Sequence, residues 1–205
     1  MYNLEKKKEM PQINRLVSHH RTNLDHMNYY YYQNGFCEDD VNKIIQTGEL
    51  HPKQTALTGA ENNASEYRTS EVAWINDEVE YAWLFNKISD LALTANREMW
   101  NYDMWGYQDG LQYTIYYDNG GHYDWHVDLG PGMSNRKLSC VIQLSDPEDY
   151  DGGELQMNMG SQIVSIPKQK GLVTYFSSFV LHRVTPVTRG VRKSLVAWIS
   201  GPNLR

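Results

Sequence analysis

The chain has 205 residues, of which 40% are hydrophobic, 21% charged and 12% aromatic, and its formal net charge is −6. These values are ordinary for a globular fold and exclude wholesale disorder and collagen-like repeats. The negative charge argues against generic binding to nucleic acid or to an anionic membrane, because both need a basic face.

The first part of the chain is polar. We expect residues 1–28 to form an N-terminal extension. Ile13, Leu16 and Val17 fit one helical turn that docks on the body, but a frayed arm is the slightly favoured interpretation. Tyr29–Tyr32 follows, and four consecutive aromatic residues favour a strand. The first predicted element of the folded body therefore starts at Tyr29.

Two helices are predicted in the next part of the chain. Acidic residues 38–40 precede an apolar face that contains Val41 and Ile44, and Gly48 is expected to end this first helix. A loop is expected over 51–65 and a strand over Glu71–Ile75. A longer helix should follow Asn76 or Asp77, because its apolar residues recur at steps of three and four. They are Tyr81, Leu84, Phe85, Ile88, Leu91, Ala92, Ala95 and Met99.

After Tyr107 the sequence changes to short alternating runs separated by glycine-containing turns, which indicate β-strands. The runs are 111–117, 122–127, 137–144, 154–159, 162–166, 171–176, 182–186 and 191–200. This pattern predicts a mainly β fold with flanking helices (α+β), built on a double-stranded β-helix, or cupin-like jelly roll. We expect one domain over 29–205, with helical support at 36–100 and the jelly-roll core at 107–202.

His126 and Asp128 are the first candidate functional residues. They lie two apart in a predicted strand, so both side chains should project from the same face. His182 lies 56 residues later, yet strands that are distant in sequence lie side by side in a jelly roll. Two imidazoles and one carboxylate on one face would form the 2-His-1-carboxylate triad of non-haem Fe(II) oxygenases, which leaves coordination positions open.

Arg192 follows His182 by ten residues, after a turn that contains Gly190. A hairpin of this length can return Arg192 to the inner face near the metal. The planar guanidinium suits a carboxylate that is bound through two hydrogen bonds in a partly dry pocket.

With these residues the chain resembles the iron- and 2-oxoglutarate-dependent oxygenases of the prolyl 4-hydroxylase branch, as a bacterial or phage-like member. That branch carries a Tyr-x-x-Gly-x-x-Tyr-x-x-His-x-Asp run, a distal His, and a Lys or Arg ten residues later. The matching residues are Tyr117, Gly120, Tyr123, His126, Asp128, His182 and Arg192, with Trp198 where the branch often has tryptophan. The resemblance covers roughly 29–202, and segments 144–155 and 182–190 also look like bacterial and phage members.

The resemblance implies a role for each matching residue. His126, Asp128 and His182 would bind Fe(II). Arg192 would hold the distal carboxylate of 2-oxoglutarate, helped by the hydroxyl of Tyr117, or of Tyr116 if the register differs by one residue. Tyr123 and Trp198 would line the substrate side of the pocket, with plain core packing as the alternative for both.

The reaction implied by the resemblance is hydroxylation of an unactivated C–H bond by O2, with 2-oxoglutarate converted to succinate and CO2. Ascorbate is a candidate reductant. The expected substrate is a prolyl residue in a peptide or protein, and a free amino acid and another protein side chain are the alternatives. Arg192 stands where collagen-type prolyl hydroxylases have Lys, which leaves the cosubstrate unchanged but weakens the inference about substrate.

Two other functions are compatible with parts of the pattern. A zinc hydrolase with the same three ligands explains the triad but gives Arg192 and Tyr117 no task. A jelly-roll binding module explains the many aromatic residues but not the spacing of His, Asp, His and Arg. The oxygenase explains all of these features, and no nucleotide-binding glycine motif is present.

The expected location is cytoplasmic. Cys37 and Cys140 are too few for a disulfide scaffold, and reduced thiols are the simplest interpretation. No apolar run approaches the roughly 18 residues of a membrane helix, so no membrane partner is expected. Residues 1–12 lack the apolar core of a secretory signal.

Overall fold

A computed structural model describes residues 29–56 and 64–203 of the protein. The predicted extension over 1–28, including Ile13, Leu16 and Val17, lies outside the described residues.

The described elements are mostly short strands, with two longer helices near the start. In chain order they are β1 (Tyr29–Tyr32), α1 (Glu38–Leu50), β2 (Gln54–Thr55), α2 (Ala64–Tyr67), β3 (Arg68–Thr69), β4 (Glu71–Ile75), a 3-10 turn (Val79–Tyr81), α3 (Ala82–Met99), β5 (Gly106–Tyr107), β6 (Leu111–Tyr117), β7 (His122–His126), β8 (Arg136–Gln143), β9 (Tyr150–Gly152), β10 (Leu155–Asn158), β11 (Ile163–Ser165), β12 (Val173–Ser177), β13 (His182–Val184) and β14 (Val187–Ser200).

The strands form two antiparallel sheets. Within the described residues, the larger sheet has nine strands in the order β1-β12-β8-β14-β6-β4-β2, with β5 and β9 paired to β14. The smaller sheet has five strands in the order β11-β10-β13-β7-β3. Neighbouring strands are often far apart in sequence, as in β8 beside β14, so the predicted jelly roll with flanking helices is confirmed.

The larger sheet separates the core into two parts. On β14, Leu195 and Ala197 belong to a cluster that also contains Ile88 and Ala92 of α3. The intervening residues of β14 face the smaller sheet, because successive side chains of a strand point in opposite directions. Those that line the space between the sheets are Arg192, Ser194, Val196 and Trp198.

Helix α3 packs against the larger sheet through its predicted apolar stripe. Leu84, Phe85, Ile88, Ala92 and Ala95 are all buried in the same cluster. Complete burial of a leucine or isoleucine side chain contributes roughly 1.5–3 kcal/mol. This stripe therefore fixes the outer layer of the fold and leaves the other face of the larger sheet free to build a cavity.

Helix α1 extends two residues past the predicted stop at Gly48. The helix ends at Leu50, and a Cβ atom at position 48 would collide with the ring of Tyr113. Gly48 is therefore a point of close contact between the helix and the sheet. The glycine is needed there for its small size and not for an unusual backbone conformation. The prediction that this glycine ends the helix was wrong, because the tight packing was not visible in the local pattern.

Three smaller differences concern strands. The segment 51–65, predicted as a loop, contains β2 and the first residues of α2, although residues 57–63 lie outside the described part. Strand β9 was not predicted, and β14 begins at Val187, before the predicted start at position 191. The β9 pairing depends on β14, whose partners come from distant parts of the chain.

The expectations about the cysteines and about a membrane helix can be compared with the described residues. Cys37 is exposed and Cys140 is buried, and both are free thiols. No helix in the described part of the chain is long and apolar enough to span a membrane.

Candidate metal centre and its cavity

Three predicted ligands meet between the two sheets. His126 ends β7, Asp128 follows two residues later, and His182 begins β13, where it pairs directly with His126. Nε2 of His126 lies 3.8 Å from Oδ1 of Asp128, and Nε2 of His182 lies 3.6 Å from Oδ2. One ligand atom from each of the three residues falls within 4.8 Å of the others. The geometry fits a divalent metal bound on one face by two imidazoles and a carboxylate.

Both imidazoles are oriented by backbone carbonyls. Nδ1 of His126 lies 2.7 Å from the carbonyl oxygen of Asp124, and Nδ1 of His182 lies 2.9 Å from that of Val180. A carbonyl can only accept a hydrogen bond, so Nδ1 carries the proton in each ring. The lone pair therefore lies on Nε2, the atom that faces Asp128 in both residues. Metal-binding histidines are commonly fixed in this way.

The electrostatics of the cluster favour a neutral imidazole beside an ionised carboxylate. Burial, and then the proximity of His182, lower the pKa of His126 to about 3. Burial by itself raises the pKa of Asp128, but the two imidazoles and a hydrogen bond from Ser139 outweigh it, so this pKa lies below its ordinary value. Both protonation states are those that a metal ion requires of its ligands.

Asp128 is held from two sides. The hydroxyl of Ser139 on β8 donates to the carboxylate of Asp128. The backbone N–H of Asp128 donates to the carbonyl of Ser178 at 2.9 Å. The side chain of Asp128 is 8% exposed. Although Asp128 lies just beyond β7, contacts with the larger sheet place its carboxylate opposite the two imidazoles.

A cavity of about 240 Å³ opens over this cluster. Its walls include all three clustered residues together with Arg192, Tyr123 and Trp198. Trp198 and Arg192 project from the same face of β14, as the six-residue spacing predicts. The structure thus brings six of the seven predicted site residues to one cavity.

Arg192 is a buried cation without an anionic partner. The residue is 1% exposed, and no carboxylate among the described residues pairs with it. Nη2 donates to Oε1 of Gln143 at 3.1 Å, Nη1 lies 3.4 Å from Oγ of Ser194, and Nε has no partner in the described structure. A buried unpaired charge is costly, so this guanidinium fits a site that receives a carboxylate from a ligand.

Gly153 makes room for this guanidinium. It has φ +58°, and a Cβ atom there would lie 2.9 Å from Cδ of Arg192. A side chain at position 153 would therefore displace Arg192 as well as strain the backbone.

The structure contradicts the placement predicted for Tyr117. Tyr117 lies on the helix-facing side of β6, where its hydroxyl donates to the carboxylate of Glu71 at 2.8 Å. Tyr116 is the residue that lines the cavity, and it pairs directly with Arg192 on β14. Tyr116, which was the alternative to Tyr117 in the sequence analysis, is therefore the tyrosine that lies beside Arg192. Strand alternation is the reason, since Tyr113 and Ile115 share the outer face with Tyr117.

Tyr123 and Trp198 line the cavity from different sheets, Tyr123 from β7 and Trp198 from β14. The Tyr123 ring stacks on the His126 imidazole with a centroid distance of 3.5 Å. Trp198 is 7% exposed and packs against the Trp74 ring at 6.2 Å. Both residues line the cavity, and both also pack against other aromatic side chains, so the structure is compatible with substrate contact and with core packing.

Two arginines were not predicted to reach the cavity. Arg68 on β3 is 7% exposed, donates to Ser70 and Gln112, and lies 4.4 Å from the centroid of the Tyr123 ring. Arg136, at the start of β8, lies 4.0 Å from the centroid of the Trp198 ring. Arg68 stands between a predicted loop and a predicted strand, and no local pattern indicates that it joins the smaller sheet.

Comparison with known proteins identifies the same part of the chain. Residues 111–200 match the 2OG-Fe(II) oxygenase superfamily. The PKHD-type hydroxylase YbiX of Escherichia coli O1:K1 / APEC is 43% identical over 91 residues, and a PKHD-type hydroxylase of Sphingopyxis alaskensis is 39% identical over 88 residues. Each match covers 40% of this chain and 40% of the relative, so the chain spans about two fifths of the length of these curated relatives.

Solved structures show a wider likeness in fold. A Pseudomonas putida prolyl-4-hydroxylase has a TM-score of 0.70 at 19% identity, over 86% of this chain and 94% of that one. A Trichoplax adhaerens prolyl hydroxylase, in complex with a hypoxia inducible factor peptide fragment, has a TM-score of 0.68 at 19% identity, over 92% and 86%. The clustered residues and Arg192 all lie within the matched range 111–200. Residues 111–200 are therefore similar to the 2OG-Fe(II) oxygenase superfamily, and the chain has the fold of these prolyl hydroxylases.

Proposed function

We propose that this protein is an Fe(II)- and 2-oxoglutarate-dependent dioxygenase that hydroxylates a prolyl residue in a peptide or protein. The observation that carries the proposal is the presence, in one cavity, of the His126, Asp128 and His182 cluster and the buried, unpaired Arg192. The cluster alone would suit several metal enzymes. The unpaired guanidinium adds a second requirement, namely a ligand with a carboxylate at some distance from the metal.

The residues present fit the metal and the cosubstrate that the family uses. His126, Asp128 and His182 would bind Fe(II) through Nε2, a carboxylate oxygen and Nε2, and would leave the remaining positions open. Iron with 2-oxoglutarate and O2 supplies oxidative decarboxylation to succinate and CO2, coupled to transfer of one oxygen atom into a C–H bond.

The chain's own residues would bind and orient the cosubstrate. Arg192 would bind the distal carboxylate, which neutralises its buried charge. Tyr116, on the same cavity wall, would contact the cosubstrate in place of Tyr117. Gln143 and Ser194 hold the guanidinium in position before the ligand arrives.

The substrate side of the cavity is formed by Tyr123, Trp198 and Arg68. The aromatic rings offer flat apolar contact, and Arg68 offers donors to an acceptor such as a backbone carbonyl. The Trichoplax prolyl hydroxylase, which shares this fold, is in complex with a peptide fragment. By analogy we propose a peptide or protein substrate here, with a free amino acid as the alternative.

A succinate-release assay would test the proposal. The protein would be supplied with Fe(II), 2-oxoglutarate and a panel of prolyl peptides and free amino acids, with mass spectrometry to detect a gain of one oxygen atom. We expect succinate formation that depends on both Fe(II) and 2-oxoglutarate, and hydroxylation of a prolyl peptide. Parallel reactions with and without ascorbate would show whether this reductant supports turnover.

A metal titration separates the oxygenase from a zinc hydrolase with the same ligands. An oxygenase should bind 2-oxoglutarate more tightly when Fe(II) is present, because the cosubstrate would contact both the metal and Arg192. If Zn²⁺ supported hydrolysis and 2-oxoglutarate did not bind, the proposed function would be wrong. Hydroxylation of a free amino acid alone would support the oxygenase and contradict the peptide substrate.

A further inference from the structure

One guanidinium connects the metal cluster with the wall of the cavity. Nη2 of Arg136 lies 2.8 Å from Oδ2 of Asp109, and Nε lies 3.2 Å from the same oxygen. Nη1 donates to the backbone carbonyl of Asp128 at 3.3 Å. The face of the guanidinium covers the Trp198 indole, with 4.0 Å between Cζ and the ring centroid. Arg136 therefore touches the backbone of a metal-cluster residue and an aromatic wall residue at once.

Arg136 also connects the two ends of a loop. Asp128 and Arg136 stand at the two ends of the segment 129–135, which returns the chain from the smaller sheet to the larger one. The hydrogen bond from Arg136 to the Asp128 carbonyl spans this segment, and Met133 within it lines the cavity. The side chain of Arg136 is 10% exposed, whereas that of its partner Asp109 is 38% exposed, so the ion pair lies between the buried cavity wall and the solvent.

The support that Arg136 gives to Asp128 differs from the support given by Ser139. Ser139 contacts the carboxylate itself, whereas Arg136 contacts the backbone of the same residue. Asp109 uses one carboxylate oxygen for two donors of Arg136 and thereby fixes the direction of the guanidinium plane. Once that plane is fixed, the indole that lies against it is fixed too.

We propose that Arg136 is a positioning residue that sets the separation between Asp128 and Trp198, and that Asp109 holds Arg136 in place for this purpose. The inference rests on the proposed function, since it assigns Asp128 to the metal and Trp198 to the substrate. Loss of Arg136 should remove the link between the Asp128 backbone and the indole, and leave only the direct approach of the indole to the Asp128 carboxylate. Metal affinity and the alignment of the substrate should then decline together, while the cosubstrate contact at Arg192 stays intact.

The test compares Arg136→Gln, Arg136→Lys and Asp109→Asn with the parent protein. Mn²⁺ titration under anaerobic conditions measures the metal affinity without any turnover. We expect Arg136→Gln to weaken Mn²⁺ binding about tenfold, as loss of a residue behind a metal ligand commonly does. Arg136→Lys and Asp109→Asn should show smaller effects in the same direction, because each keeps part of the contact network.

Turnover supplies the second readout. With a prolyl peptide as the probe, hydroxylated product per succinate should fall in Arg136→Gln, and the KM for 2-oxoglutarate should stay within about twofold of the parent. The matched control is Arg189→Gln, since Arg189 is an exposed arginine paired with Asp151 at 2.8 Å, outside the cavity. It should leave metal affinity and the product ratio unchanged.

Different results would overturn this proposal and the proposed function. If Arg136→Gln only lowered the melting temperature, with Mn²⁺ affinity unchanged, Arg136 would be structural and the proposal would be wrong. If Arg136→Gln did not fold, Asp109→Asn with parent-like Mn²⁺ affinity would overturn it equally. A parent protein that binds Mn²⁺ but forms no succinate would contradict the proposed function, and the Mn²⁺ comparison would still decide the role of Arg136.

Discussion

Tyr116 and Arg192 are direct partners in the pairing of β6 with β14, and Cζ of Arg192 lies 5.3 Å from the centroid of the Tyr116 ring. This contact places an aromatic hydroxyl and an unpaired guanidinium on the same cavity wall. It also determines that the adjacent Tyr117 points away, toward Glu71. A difference of one residue in register thus decides which tyrosine belongs to the candidate cosubstrate site.

Substitution of the two adjacent tyrosines should therefore have different effects. Tyr116→Phe removes the hydroxyl of a tyrosine that lines the cavity, and we expect the KM for 2-oxoglutarate to rise about tenfold, as for loss of one hydrogen bond to a charged group. Tyr117→Phe should leave this KM unchanged, since it loses only the contact with Glu71. Steady-state kinetics at varied 2-oxoglutarate would check both, and equal KM values for the two variants would contradict the assignment.

Arg192 should be the main determinant of cosubstrate binding. Arg192→Ala removes a charge-assisted interaction, and the apparent affinity for 2-oxoglutarate should fall on the order of 10- to 100-fold. Arg192→Lys should be milder because the charge is retained. Titration of 2-oxoglutarate into the Fe(II)-loaded protein under anaerobic conditions would measure this, with Arg189→Ala as the exposed control. An Arg192→Ala variant with parent-like affinity would transfer the role to another cation.

Each residue of the metal cluster should be necessary. His126→Ala, Asp128→Ala and His182→Ala should each abolish Fe(II)-dependent turnover, because a three-ligand site has no spare ligand. His51→Ala is a suitable control, since His51 lies outside the cavity and packs on Tyr81 at 5.6 Å. Metal binding, turnover and far-UV circular dichroism would be recorded together. Full activity in any one of the three would remove that residue from the proposed site.

Tyr123 and Trp198 can be tested for substrate contact through uncoupled turnover. Tyr123→Phe and Trp198→Phe should keep 2-oxoglutarate binding, while hydroxylated product falls more than succinate because the target C–H bond is misplaced. If these residues serve only the core, Tyr123→Ala and Trp198→Ala should instead lose roughly 3–5 kcal/mol of stability. The product-to-succinate ratio, measured beside a melting curve, distinguishes the two. An unchanged ratio with a lowered melting temperature would leave only the structural role.

Glu49 should make the stability of the fold depend on pH in the acid range. Burial opposes the shift, but hydrogen bonds from Lys193, Lys53 and Tyr113 lower the pKa of Glu49 from 4.5 to about 2. A carboxylate whose pKa is lower in the folded state stabilises the fold above the unfolded pKa and loses this contribution as the pH falls. The contribution should thus be complete above pH 4.5 and disappear toward pH 2.

Glu49→Gln provides the control for this effect. Urea unfolding between about pH 2 and 5 should show a shallower loss of stability in the variant than in the parent, because Gln does not titrate. The difference should be modest, since Glu49 is 39% exposed and water screens its pairs. Identical pH profiles for the two proteins would show that the Glu49 network is not linked to folding.

The sequence alone determined most of the strand positions along the chain, the apolar stripe of α3 and the residue types of the metal cluster. These depend on short-range periodicity, which is visible locally as period 2 in strands and about 3.6 in helices. The shared face of Arg192 and Trp198 also follows from it, because side chains at even separations lie on one side of a strand. Asp128 lies beyond the end of β7, so its position beside His126 depends on contacts with Ser139 and Ser178.

Only the tertiary structure decided the contacts between distant strands. The pairing of β6 with β14 selects Tyr116 over Tyr117, the packing of α1 on Tyr113 explains Gly48, and the addition of β3 to the smaller sheet brings Arg68 to the cavity. Each depends on the register or contact of segments that are far apart in sequence. Such registers are set by burial summed over a whole sheet, so no local pattern in any one segment contains them.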